Sequence, residues 1–127
     1  MTDFLARART MLEAARLLAR SDHRESAANR AYYAMFHAMQ AVLLARGLPA
    51  REVKSHSGLK RLFDQHLVRS GLVSRDVSAA IQRASEMRWL ADYGDDLPTA
   101  TIPVETAIAD AARLIEICAG LIGETPE

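Results

Sequence analysis

The sequence predicts an all-α fold, an up-and-down antiparallel bundle of about five helices. Three observations carry that expectation. Apolar residues recur at helical spacing over long stretches. No segment alternates strand-fashion between hairpin turns. The 6 glycines and 4 prolines of the 127 residues stand mostly where one helical pattern stops and the next begins. At this length the chain reads as a single domain, residues 1–127, burying roughly two thirds of its unfolded surface.

The first helix is expected from Thr2 or Asp3 to about Arg20, with Phe4, Leu5, Ala8, Met11, Leu12, Ala15 and Leu18 on its apolar stripe. Ser21-Asp22 breaks the pattern. A longer helix then runs from about Asp22 to Arg46 and ends at Gly47. Its Ala27, Ala31, Ala34, Ala38, Ala41 and Ala45 recur at alternating spacings of four and three, a methyl-lined seam against which neighbours can pack closely. Tyr32, Met35, Phe36, Met39, Val42 and Leu43 cover its other faces, so this helix should be central. Residues 48–54, with Pro49, read as a loop. Ser55 or Ser57 can cap a third helix with Leu59, Leu62, Phe63, His66 and Leu67 inward, closed by Gly71. Ser74 precedes a fourth helix, Arg75 to Tyr93, with Val77, Ala80, Ile81, Ala84, Met87 and Ala91 inward. Residues 95–102 form a polar loop, and Pro103 opens a last helix, Val104 to Ile122.

Half of the residues are apolar and a quarter charged, an ordinary globular mix. No apolar run nears the roughly 20 residues of a membrane span, and the amphipathic start is unlike a signal peptide. The single Cys118 forms no internal disulfide and suits a reducing cytoplasm, where the protein is expected. The four His are scattered, so no metal-ligand spacing and no zinc site is expected. Glycine-rich phosphate loops and serine nucleophile elbows are missing, and no cofactor is implied. Net charge is zero, but residues 1–94 hold 15 Lys/Arg against 9 Asp/Glu, while residues 95–127 hold 1 against 7. The basic part is almost all Arg, which suits bidentate phosphate contacts.

On the second helix Arg30, Tyr33, His37 and Gln40 share one polar line within an apolar shell. Each unmet hydrogen bond there would cost roughly 1–3 kcal/mol, so the line needs internal partners or a cleft. A buried ladder tying helices together and a contact line for RNA or a nucleotide are both open. His56, at the start of the third helix, can cap it or bind an anion.

The run Arg30-Ala31-Tyr32-Tyr33-Ala34-Met35-Phe36-His37-Ala38 resembles the second-helix signature of the HEPN (higher eukaryote and prokaryote nucleotide-binding) superfamily. Ser55-His56-Ser57-Gly58-Leu59 resembles the opening of its third helix. Arg88-Trp89-Leu90-Ala91-Asp92-Tyr93 resembles the Arg-x-x-Ala-Asp-Tyr block of a small, stand-alone bacterial and archaeal branch. The resemblance implies a helical bundle, a homodimer, and RNA or nucleotide as ligand. It also implies a toxin–antitoxin or defence setting with a nucleotidyltransferase-like antitoxin partner. Nucleases of the superfamily carry an Arg followed four to six residues on by His, late in the core. The Arg stabilises charge on phosphate as a ribose 2′-hydroxyl attacks, and the His shuttles the proton.

Arg88 stands at the expected place here, but the residue five positions on is Tyr93, and no His follows in that helix. A phenol of ordinary pKa near 10 is a poor base at neutral pH. Asp92, one turn from Arg88, suits a structural ion pair as well as a substrate role. An Arg-x6-His spacing recurs at Arg30 and His37, roughly 10.5 Å apart along the second helix. Three functions are therefore open. One is an RNA- or nucleotide-binding component using Arg30, Tyr33, His37, His56, Arg88, Asp92 and Tyr93. Another is a metal-independent ribonuclease using Arg88, with His37 or Tyr93 as base. The third is a protein-interaction bundle without catalysis. Trp89 and Leu90, beside the inward Ala91, are expected to face a second copy of the chain.

Overall fold

Asp3 opens the first helix in the computed structural model, its Oδ1 accepting from the backbone N–H of Ala6 at 3.1 Å. The structure describes residues 3–54, 56–93 and 103–123, and for His56, Ser57, Asp92 and Tyr93 the backbone alone. Within these, α1 is Phe4–Arg20, α2 Arg24–Ala45, α3 Ala50–Val53, α4 His56–Phe63, α5 Arg75–Tyr93 and α6 Val104–Ile122. Among the described residues there is no strand, and the architecture is the expected all-α bundle. The expected capping by Ser55 or Ser57 and the loop 95–102 lie outside the described residues.

The centre of the bundle is α2, packed mainly against α1, α6 and α5. Met35, Met39, Val42 and Leu43 are wholly enclosed by Leu5 and Leu12 of α1, Ile81 of α5, and Leu114 and Ile115 of α6. The alanine seam works as its spacing implies where helices come closest. Ala15, Ala31 and Ala107, from α1, α2 and α6, meet with at most 3% of any one exposed. Toward the end of α2 the seam runs out, with Ala45 exposed.

Three local departures from the sequence expectation have physical causes. Asp22 adopts a left-handed φ of 61°, which a short polar side chain tolerates. The chain thus reverses at Asp22, and α2 starts only at Arg24. Residues 50–53, expected as loop, make one helical turn after Pro49, because Val53 is drawn fully into the core. Finally, α4 passes into a π-helical segment, Asp64–Val68, with Arg69 N–H donating to Asp64 C=O at 2.9 Å. The wider turn keeps Leu67 buried below Phe63 and rotates His66 outward, so His66 is exposed rather than on the core face.

Charged residues lace the surface. Arg24 makes two bonds to Glu105, at 2.9 and 2.8 Å, joining the starts of α2 and α6. Arg113 reaches Asp76 at 2.9 Å, joining α6 to α5. Lys60, Asp64 and Ser78 close a hydrogen-bonded triangle between α4 and α5, with edges of 2.8, 3.1 and 2.7 Å. Arg24 and Arg113 thus serve helix packing.

Candidate functional site at the α2–α5 junction

Tyr32 and Tyr33 face α5 from consecutive positions of α2. Their rings meet edge to face, 5.4 Å apart at 76°. Three residues before Arg88 on α5, Ser85 lies on the same helical face, and its hydroxyl bonds the phenol of Tyr32. Arg88 then lays its guanidinium over both rings, 5.2 Å from the Tyr32 centroid and 5.4 Å from that of Tyr33. The Nε of Arg88 is buried while the residue as a whole stays partly exposed. Burial raises the pKa of Tyr32 above its ordinary 10, against the opposing pull of Arg88 and Ser85. At neutral pH Tyr32 is a protonated phenol that supports Arg88.

The aromatic surface continues away from α5. One turn along α2 from Tyr33, the His37 ring lies 6.3 Å from the Tyr33 ring. On its other side His37 stacks on Phe4 of α1, 6.0 Å away at 17°. Arg7 in turn sits over Phe4, 5.5 Å from its centroid. The result is a ladder of Arg88, Tyr33, His37, Phe4 and Arg7 that crosses three helices with a permanent cation at each end. Underneath, His37 Nδ1 is 2.8 Å from Gln40 Oε1, and Gln40 Nε2 donates to the Val53 carbonyl at 2.9 Å.

Of the residues singled out from the sequence, Tyr33, His37 and Arg88 come together in this ladder. Arg30 is exposed, with its guanidinium on Asn29 Oδ1 at 3.1 Å, beside a shallow hollow shared with Glu25 and Ser26. The side chains of His56, Asp92 and Tyr93 lie outside the described residues, and so does the expected Arg88–Asp92 pair. Phe4, Arg7 and Ser85 were not legible as site residues. Ser85 carried a usable signal, its spacing of three from Arg88. Phe4 and Arg7 reach His37 only because α1 crosses α2 there.

The arrangement offers a donor-only guanidinium, partly exposed aromatic rings, and an imidazole that can donate or accept a hydrogen bond. Among the described residues no group of three or more His, Cys, Asp or Glu is placed to hold a metal ion, and no helix is long and apolar enough to cross a membrane. Cys118 is enclosed in the core, where burial pushes its thiol up to about 12.

Comparison with known proteins identifies a family for the chain. A family model described as the HEPN domain matches residues 1–121. A UPF0332 protein of Gloeobacter violaceus is 36% identical over 116 residues, 91% of this chain and 90% of that protein. A UPF0332 protein of Thermotoga maritima is 38% identical over 89 residues, 70% of this chain. The matched part spans 65% of the Thermotoga protein's own length. A protein of Methanocaldococcus jannaschii whose name marks it as a candidate toxin is 32% identical over 105 residues, covering 83% of this chain and 75% of the relative.

Proposed function

The chain belongs to the HEPN domain family, and on that premise we propose that it is a toxin-like protein that binds RNA or a nucleotide beside Arg88. Its counterpart is an antitoxin of the nucleotidyltransferase type. The observation that carries the reading is the seating of Arg88 on Tyr32 and Tyr33 next to His37. Contact with two rings limits the movement of the guanidinium, and a guanidinium held in place favours a bidentate grip on phosphate oxygens. Tyr33 and His37 stay partly exposed and add aromatic surface beside it, of the kind that single-stranded RNA bases pack against. The toxin setting draws on two relatives from Methanocaldococcus jannaschii that carry toxin names.

A second reading, metal-independent RNA cleavage, is favoured by one specific feature: His37 shares Tyr33 as a neighbour with Arg88. In that reaction the ribose 2′-oxygen bonds to phosphorus and its proton passes to the imidazole. The bond from phosphorus to the 5′-oxygen breaks, and that oxygen takes a proton from solvent. Arg88 stabilises the charge gathered on the phosphate meanwhile. Trp89 and Leu90, 58% and 44% exposed beside Arg88, support a homodimer that would bring two such ladders together.

Fluorescence anisotropy with short single-stranded RNA tests the first reading. Binding that weakens at least tenfold in Arg88→Ala, with folding retained, supports it. Absence of binding by both RNA and nucleotides overturns it in favour of an interaction bundle. Incubation of RNA in EDTA tests the second: 2′,3′-cyclic phosphate ends that vanish in Arg88→Ala and His37→Ala support cleavage, and intact RNA removes it. Light scattering decides the dimer, which a 14.0 kDa species at micromolar concentration would exclude.

A further inference from the structure

Gln40 is the buried polar side chain of the described core, with 3% of its surface exposed. Such a group needs both ends of its amide satisfied, and here both are. Nε2 donates to the Val53 carbonyl at 2.9 Å, and Oε1 lies 2.8 Å from His37 Nδ1. The direction of these bonds is not arbitrary. A backbone carbonyl can only accept, so the amide nitrogen must face Val53. The amide oxygen, which also only accepts, then faces the imidazole. His37 Nδ1 must therefore carry a hydrogen and donate it.

A neutral imidazole with its hydrogen on Nδ1 has its acceptor lone pair on Nε2. Turning the amide over would set its oxygen against the Val53 carbonyl oxygen and leave two buried acceptors unmet there. Val53 cannot yield easily, because its side chain is wholly buried at the end of α3. The clamp is thus anchored outside α2, and it fixes a proton position in a partly exposed ring from a bond made in the core.

We infer that Gln40 is a positioning residue: by way of Val53 it sets the His37 tautomer, so that Nε2 is the nitrogen that accepts a hydrogen bond from bound RNA. The identity of the ligand rests on the function proposed above, while the tautomer does not. Arg88 can only donate and matches phosphate. His37 Nε2 accepts, and the RNA group that offers it a hydrogen beside a phosphate is the ribose 2′-hydroxyl, which DNA lacks. The same pair of side chains thereby distinguishes RNA from DNA without reading sequence.

Long-range proton–nitrogen correlation spectra of the uniformly nitrogen-15-labelled chain test this directly, recorded at about pH 8, above the ordinary imidazole value of ~6.5. The expected spectrum of the native protein shows His37 protonated on Nδ1 and unprotonated on Nε2. A proton on Nε2 instead overturns the inference, and no variant is needed to see it. In Gln40→Met, similar in length and apolar, the ring should shift towards the Nε2-protonated form while circular dichroism stays helical. An unchanged tautomer in that folded variant also overturns the role of Gln40. The ligand is tested with RNA and DNA oligonucleotides of one sequence. A preference for RNA that falls about fivefold or more in Gln40→Met supports the 2′-hydroxyl contact, on the scale of one hydrogen bond. Equal binding of RNA and DNA by the native chain overturns it. The expected tautomer without any nucleic-acid binding would sink the RNA reading and leave the positioning role standing.

Discussion

Replacing Arg88 by alanine separates what the guanidinium does for the fold from what it does for a ligand. In the free protein its contribution includes two cation–π contacts, at 5.2 and 5.4 Å from the ring centroids. At a partly exposed site each is worth roughly 0.5–1 kcal/mol, so losing these two should cost about 1–2 kcal/mol of stability. For a domain of this size that is a fall of roughly 3–8 °C in Tm. The ligand side is larger. A charge-assisted hydrogen bond to phosphate is worth about 1.5–3 kcal/mol, so affinity for RNA should fall roughly 10- to 150-fold. Removing one phosphate contact should also lower the dependence of log affinity on log salt by about 0.7 for a single strand. Arg88→Lys keeps the charge but not the planar fork. It should hold the salt slope while losing part of the affinity. Urea unfolding followed by circular dichroism gives the first quantity, and anisotropy over a salt series the second. If Arg88→Ala bound RNA with unaltered affinity and slope yet lost more than ~4 kcal/mol of stability, Arg88 would be a strut between α2 and α5 and nothing else.

The remaining predictions concern the scaffold. Ala31→Leu forces a branched side chain into the junction of Ala15, Ala31 and Ala107, and should destabilise by about 3 kcal/mol, read as a lowered urea midpoint. Glu105 and Asp76 are held below their ordinary values of 4.5 and 3.8, Glu105 first by its bond to Arg24 and Asp76 first by that to Ser74, then by Arg113. A depressed carboxylate stabilises fully above its unfolded pKa and loses that effect as pH falls through the folded one. Stability should therefore decline below about pH 4.5, and Glu105→Gln with Asp76→Asn should flatten the decline in urea midpoints measured down to acid pH. Cys118, with its thiol pushed up to about 12 inside the core, should resist iodoacetamide in the native chain and react only on unfolding, as mass spectrometry of the labelled protein would show.

The fold was legible where periodicity and punctuation agree. The patterns of α5 and α6 are bounded by Ser74, Gly94, Pro103 and Gly123, and both helices run as expected, Arg75–Tyr93 and Val104–Ile122. It was less legible where one residue's backbone decides. The left-handed turn at Asp22 and the π-helical register of Asp64–Val68 leave no mark on hydrophobic spacing. The site was half legible for a related reason, and α2 shows why. At roughly 100° per residue, Gln40, Tyr33, His37 and Arg30 fall in that order across an arc of about 80°. Their burial follows the same order: Gln40 is enclosed, Tyr33 and His37 are partly exposed, and Arg30 is in solvent. The sequence therefore gives the arc but not the place along it where the core ends. That edge is drawn by Phe4 of α1 and Arg88 of α5, which approach from distant positions in the chain and close over Tyr33 and His37 from either side. A polar line crossing such an edge joins core to surface with one helix, because its inner member bonds into the core while its outer members stay partly or fully exposed. Moving the edge by a single residue would bury His37 or strip Gln40 of Val53, and the link between core and surface would be lost.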